Sequence, residues 1–322
     1  MTTLPSFLRP VDSPQDSGIR EPCINATFYH KSLDAAAHAL WWPSSGDDPS
    51  TILLFIPGNP GLIEFYVPFL TSVHEKSQGR LAVLAHAHLG HSPTIPDGDV
   101  FKDTSTIGLT TQVQSAIEAV DTVSSSFPRS KIAIAAHSMG CWVTCQVLKA
   151  RPDAVATVFW LFPTITNIVD TPNGRSLWWL FRPPLSQAIS AMSIVTRVLP
   201  DRLLSALFPD WPLPQLRVLR TLLNSPSAIQ ACLTLANDEM NTIKDLDITL
   251  LQKYRHRIHL YFAQTDDWVG KNRETILRAF HADPDSVKIV YGQQDIPHAF
   301  CINHGEHLAE QCSEWLQQGG FI

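Results

Sequence analysis

The stretch Lys131-Ile132-Ala133-Ile134-Ala135-Ala136-His137-Ser138-Met139-Gly140 runs an apolar strand into a serine. It continues directly into the helix-forming run Cys141-Trp142-Val143-Thr144-Cys145-Gln146-Val147-Leu148-Lys149-Ala150. Strand, serine, helix is the order of a nucleophile elbow, a sharp turn that lifts the serine Oγ clear of a sheet. The helix start beyond it offers unpaired N–H groups to a developing oxyanion. Two backbones pass close together at such a turn, so small residues are needed two positions either side of the serine. Ala136 and Gly140 fill those positions, with alanine where glycine is more usual. A serine before a helix is also an ordinary N-cap, so the flanking elements have to decide.

Working outward, residues 51–56 form a continuous apolar strand of the kind found inside a parallel sheet. It stops at Pro57-Gly58-Asn59-Pro60-Gly61, where prolines end the ladder and glycines permit a tight reversal. Residues 63–76 read as helical, with Pro68 in the first turn of the regular part. Residues 81–86 are the next buried strand and end in His88-Leu89-Gly90-His91. Residues 107–123 place Leu109, Val113, Ile117 and Val120 on one helical face. Residues 154–161 are a further strand, whereas 24–29 and 37–42 read as two edge strands, a candidate hairpin. Alternation of strand and helix predicts an α/β fold with a mostly parallel, doubly wound sheet.

The rhythm breaks at Phe162 and resumes with a strand at 257–262, a helix at 271–281, a strand at 287–291 and a helix at 306–318. Sheet-forming sequence on both sides of a helical interruption reads as an inserted cap. The expected division is a polar N-terminal extension at 1–21, a core from 22–162 and 247–322, and a helical cap insertion at 163–246.

Charged residues make up only 17% of the chain, below the usual quarter, while there are 9 Trp. That balance points to more apolar surface than a freely soluble enzyme carries. A formal charge of -6 without a basic tract argues against a nucleic-acid partner. The N-terminal residues lack the apolar segment of a signal peptide. The scattered cysteines, with no Cys-x-x-Cys, suit a reducing, non-secreted setting. Cys141 and Cys145 read as small buried hydrophobes.

A serine hydroxyl needs a histidine base within reach and a carboxylate to fix the imidazole tautomer. Two later strands end in loops that supply both, in the chain order serine, acid, histidine. The first carries Asp266 and Asp267, of which Asp266 is preferred; helix capping near Gly270 is the competing role. The second carries His298, with His304 as its rival base closer to a helix start. Oxyanion N–H groups are expected from Met139 and Asn59, because Pro57 and Pro60 have none and Gly58 suits the turn. No phosphate loop or dinucleotide fingerprint follows the first strands, so no cofactor is expected. His86, His88 and His91, with Asp97 and Asp99 downstream, invite a metal reading. Without a second ligand cluster, the His88–His91 turn reads instead as the floor near the nucleophile.

Between residues 171 and 215 lie Trp178, Trp179, Phe181, Phe208 and Trp211, interspersed with Arg175, Arg182, Arg197 and Arg202. Two readings stand side by side. Helices so composed suit shallow seating on a lipid surface, or they line an apolar pocket over the core. Either implies a hydrophobic acyl substrate.

Several of these motifs together resemble the lipid droplet-associated hydrolase family of α/β-hydrolases, in a fungal-like form. They are Ile56-Pro57-Gly58-Asn59-Pro60-Gly61 with Phe65-Tyr66, His88-Leu89-Gly90-His91, His137-Ser138-Met139-Gly140, and Leu161-Phe162-Pro163-Thr164-Ile165 with Thr171-Pro172-Asn173-Gly174. Asp266-Asp267-Trp268-Val269 and Pro297-His298-Ala299-Phe300 complete the set, and the similarity spans about residues 22–318. The resemblance implies a Ser138–Asp266–His298 triad and an ester or sterol-ester substrate. It also implies attachment to the cytosolic face of lipid droplets and endoplasmic reticulum. Ala136 departs from the expected first glycine, and Gly270 stands where a proline often closes the acid loop, which would loosen it. Acyl transfer and thioester hydrolysis use the same fold, and a droplet surface protein with a vestigial site shares the composition. These alternatives stay open at the level of sequence.

Overall fold

The computed structural model describes residues 4–11, 23–46, 48–93, 107–281, 283, 286–292 and 296–322. A single sheet organises them: β1 (Leu8–Pro10), β2 (Ile24–His30), β3 (Ala35–Trp42), β4 (Thr51–Ile56), β5 (Leu81–His86), β6 (Lys131–His137), β7 (Val155–Leu161), β8 (Ile258–Phe262) and β9 (Lys288–Tyr291). The strand order is β1-β2-β3-β5-β4-β6-β7-β8-β9. Pairings from β5 through β9 are parallel, and β1, β2 and β3 extend the sheet antiparallel.

The hairpin of β2 and β3 is present, but neither strand is an edge. β3 pairs with β5 on one side and β2 on the other, and all of its side chains are buried. β1, inside the segment read as a polar N-terminal extension, pairs antiparallel with β2. Its three residues carry no local strand signal, so its form depends on that partner.

Alternation along the strands feeds two cores. Ile52, Leu54 and Ile56 of β4 and Ile132 and Ile134 of β6 face one layer, and Leu53, Phe55, Ala133 and Ala135 face the other. The first layer holds α2 (Leu109–Ser126), α3 (Met139–Ala150), α9 (Ile248–Tyr254) and α10 (Asn272–Arg278). The second holds α1 (Val67–Lys76) and α11 (Gly305–Gln318), which pack on each other. Pro68 sits in the first turn of α1, after a 3₁₀ turn at Ile63–Tyr66.

Between β7 and β8 the described chain holds helices and connecting loops but no strand: α4 (Pro172–Leu177), α5 (Leu185–Met192), α6 (Asp201–Leu207), α7 (Leu213–Leu223), α8 (Pro226–Thr242), then α9, with 3₁₀ turns among them. The crossover direction reverses at β4, which lies between β5 and β6. Ligands bind beyond the carboxyl ends of strands at such a reversal. Ile56 pairs with Ala136 there, so the Pro57 loop and the Ser138 turn leave the sheet side by side.

Candidate active site

Ser138 has φ 54 and ψ -123, a conformation a β-carbon resists. Neighbouring chain holds it: the Ser138 N–H donates to the Leu161 carbonyl at 3.0 Å. The Ser138 carbonyl accepts from Cys141 N–H at 3.0 Å and from Thr164 N–H at 3.3 Å. Gly140 is required for room, since a Cβ would lie 2.4 Å from the Pro57 carbonyl oxygen. Ala136, fully buried between Ile56 and Trp160 on the flanking strands, fits as alanine. Gly58 does not serve the turn as expected. Its missing Cβ would stand 2.9 Å from that of Ser138, and the left-handed conformation falls at Gly61, φ 73. Glycine at 58 therefore makes space beside the serine.

Three side chains distant in sequence meet at this turn. The Ser138 hydroxyl is placed to donate to His298 Nε2 at 2.9 Å, and His298 Nδ1 donates to Asp266 Oδ2 at 2.8 Å. Asp266 is almost fully buried. Burial raises its pKa, but the His298 ring and the N–H groups of Trp268 and Val269 outweigh that and hold it below the ordinary carboxylate value. Those two N–H groups reach Asp266 Oδ1 at 2.8 and 3.1 Å. Asp266 thus caps the following turn and orients the imidazole at once. Asp267 offers its backbone carbonyl to Asn173 N–H and is exposed. His304 stands at the start of α11, where its carbonyl receives Leu308 N–H. Gly270 is not a loosening substitution: its φ of 54 lies outside a proline ring's range, and its N–H closes the loop onto the Asp266 carbonyl at 2.7 Å.

The Pro57–Gly61 loop is held from several sides. His88 Nε2 donates to the Pro57 carbonyl at 3.0 Å and His91 Nδ1 to the Pro60 carbonyl at 2.6 Å. Burial keeps both rings neutral, at about 3 and about 4. The Gly58 N–H points to the Tyr66 hydroxyl at 3.4 Å. Asn59 Nδ2 donates to the Cys232 carbonyl and to Glu239 Oε1, both on α8. Among the described residues the Asn59 backbone N–H meets no acceptor, and Met139, first in α3, has none within its helix. Asp97 and Asp99 lie outside the described residues, and among those described no cluster of three metal-ligating side chains occurs.

Residues overlooked in the sequence reading support this arrangement. His137 Nε2 donates to the His298 backbone carbonyl at 2.9 Å, and its Nδ1 accepts from the Tyr66 hydroxyl at 2.7 Å. Burial lowers the His137 pKa to about 3, which keeps that tautomer pair intact. A histidine ending an otherwise apolar strand was the available signal. Glu239 is a second omission: an acid on the buried stripe Leu235, Ala236, Glu239, Met240 of α8.

Ser138, His298 and Asn59 open onto a cavity of about 200 Å³, walled by Phe181, Trp268, Met240 and Glu239. The five aromatic residues of the helical segment divide. Phe181 lines this cavity, and Trp211 packs edge-on against Phe65 and beside Phe208. Trp178 and Trp179 are exposed at 36% and 51%, with the Arg182 guanidinium stacked over Trp178.

The sheet order and the serine turn define the α/β-hydrolase class, and solved structures agree. A 2-hydroxy-6-oxo-6-phenylhexa-2,4-dienoate hydrolase from Rhodococcus matches with a TM-score of 0.66 at 14% identity, over 92% of this chain and 99% of that one. A thermophilic esterase from Thermogutta terrifontis matches at 0.59 with 13% identity, over 92% and 98%. The model of the lipid-droplet associated hydrolase family matches residues 49–301, and the chain belongs to that family. The mouse lipid droplet-associated hydrolase is 25% identical, over 83% of this chain and 85% of its own. The chicken protein of the same name is 24% identical over 88% and 92%. Hydrolysis is accordingly the class of reaction.

Proposed function

We propose that this hydrolase cleaves carboxylic esters of neutral lipids with Ser138 as nucleophile, His298 as general base and Asp266 as its orienting acid. The observation that carries the reading is the continuous hydrogen-bonded series Ser138–His298–Asp266 at the mouth of an apolar cavity. As Ser138 Oγ attacks the acyl carbon, its proton passes to His298 Nε2, and the buried Asp266 carboxylate stabilises the imidazolium. The carbonyl oxygen takes the negative charge and is received by the N–H groups of Met139 and Asn59. His298 then protonates the departing alcohol, and a water molecule deprotonated by the same ring releases the acid from Ser138.

The helical segment 163–246 acts as a cap over this chemistry. Small-molecule sites usually span about 300–1,000 Å³, so a cavity of about 200 Å³ suits an acyl chain with the alcohol moiety outside. Sterol esters and acylglycerols both fit that scheme. The cap also supports seating on a droplet or endoplasmic reticulum surface, as the relatives' names suggest for droplets. Met192, Val195, Val198, Leu207 and Leu213 project from it into solvent, Val198 at 81% exposure, beside Arg197 and Arg202. No helix among the described residues is long and apolar enough to cross a membrane. Shallow burial of this face, with arginines at the headgroups, is the mode it fits.

Turnover of p-nitrophenyl esters from four to sixteen carbons tests the reading. Wild type should favour short and medium chains, and Ser138→Ala should lose at least about 10³-fold in kcat. Equal turnover by Ser138→Ala would refute it.

A further inference from the structure

Glu239 sits in the cavity wall with 5% exposure, and no lysine or arginine pairs with it among the described residues. Burial pushes its pKa to about 8, opposed by the Asn59 amide and aided by Asp238. An unpaired buried carboxyl costs stability that an apolar side chain would not. Among the described residues its hydrogen bond runs to Asn59 Nδ2 at 2.8 Å, while the second proton of that amide reaches the Cys232 carbonyl at 2.9 Å. Both acceptors lie on one face of α8, two turns apart. Helix α8 is itself docked to the core, because Asp238 Oδ2 accepts the Leu109 N–H at the start of α2. Both amide protons of Asn59 are therefore held by an element 173 to 180 residues away in sequence.

We infer that Glu239 is a positioning residue: through the Asn59 side chain it aims the Asn59 backbone N–H at the oxyanion. The inference rests on the proposed roles of Ser138 and Asn59. Oxyanion donors work only within a few tenths of an ångström of the right place. Pro57 and Pro60 are held by histidines and Gly58 by Tyr66, leaving Asn59 to be held by the cap. A competent hole then exists only while α8 is seated. Protonated, Glu239 accepts the amide through its carbonyl oxygen without adding negative charge to the cavity where the oxyanion forms. The other titratable groups facing it are Asp238 and Cys232 on its own helix, His91 beside Cys232, and His298 across the cavity.

The test compares Glu239→Gln and Glu239→Leu with wild type. Glutamine keeps an acceptor for Asn59, so kcat should stay within about threefold and lose any alkaline decline near pH 8. Leucine should lower kcat about ten- to a hundredfold, short of removing a donor outright, with KM within about threefold and no loss in Tm. Unchanged kcat in the leucine variant, or equal losses in both, would overturn the inference. A second readout needs neither turnover nor a variant. In protein labelled with ¹⁵N-asparagine, the Asn59 side-chain amide should be protected from exchange and shift between pH 6 and 9 as Glu239 ionises. A freely exchanging, pH-independent amide overturns the inference even if the esterase reading holds. Failure of Ser138→Ala to lose turnover strikes the esterase reading instead.

Discussion

His137 donates from Nε2 to the backbone carbonyl of His298 across 2.9 Å, so the residue before Ser138 holds the chain that carries the His298 ring. Tyr66 completes the hold by donating to His137 Nδ1, with its own oxygen facing the Gly58 N–H. One imidazole thus joins the serine turn, the base loop and the Pro57 loop. Replacing His137 with Phe keeps an aromatic ring, somewhat larger, and removes both bonds. A lost hydrogen bond is worth about 0.5–1.5 kcal/mol, so kcat should fall about three- to tenfold or more, with Tyr66→Phe the milder change. Ester kinetics for the two variants check this; unaltered kcat in both would show that the network does not position His298.

The two adjacent aspartates should differ sharply. Asp266→Asn retains an oxygen for the Trp268 and Val269 N–H groups yet no longer fixes the imidazole tautomer, and about 10⁴-fold in kcat should go. Asp267→Asn leaves the carbonyl bond to Asn173 N–H in place and should stay within about twofold. Comparable losses would unseat Asp266 as the acid.

Gly270 offers a backbone test of the same loop. At φ 54 a β-carbon costs about 1–2 kcal/mol, so Gly270→Ala should lower Tm by several degrees and reduce kcat modestly. Gly270→Pro also deletes the N–H that meets the Asp266 carbonyl, and should be far worse in both respects. A stabilised proline variant would contradict the loop geometry.

Stability should rise with pH below neutrality. Burial holds His88 and His137 at about 3 and His30, His91 and His259 at about 4, against an unfolded value of 6.5. Below 6.5 the unfolded chain binds protons that the fold does not, so the stability present above 6.5 is lost progressively toward pH 4. Proton linkage gives every one of these rings the same sign within that window. Glu239 has the opposite sign: raised from 4.5 to about 8, its contribution is present at low pH and fades as pH rises through that interval. One carboxyl cannot offset five histidines, so thermal unfolding should show Tm climbing from pH 4.5 to 6.5. Above 6.5 a small decline should follow, absent in Glu239→Gln. A Tm that falls over the acid interval would contradict these environments.

Much of the core was legible because buried parallel strands are continuous apolar runs, as β4, β5 and β6 are. The break after β7 was legible for the same reason, since strand periodicity simply stops. What escaped depends on long-range pairing. The alanine-rich β3 reads as a weak edge and is interior only because β2 and β5 flank it. Ser138, Asp266 and His298 could be chosen from their places after strands. His137, Tyr66 and Glu239 could not, since they act through bonds joining parts of the chain 71 to 180 residues apart.

The central claim is that Ser138 is an activated nucleophile, and covalent labelling tests it most directly. Wild-type protein treated with a fluorophosphonate should gain a single adduct that peptide mass mapping places on Ser138. Ser138→Ala should gain none, and Asp266→Asn should label far more slowly. An adduct on another residue, or labelling that persists undiminished in Ser138→Ala, would contradict the account.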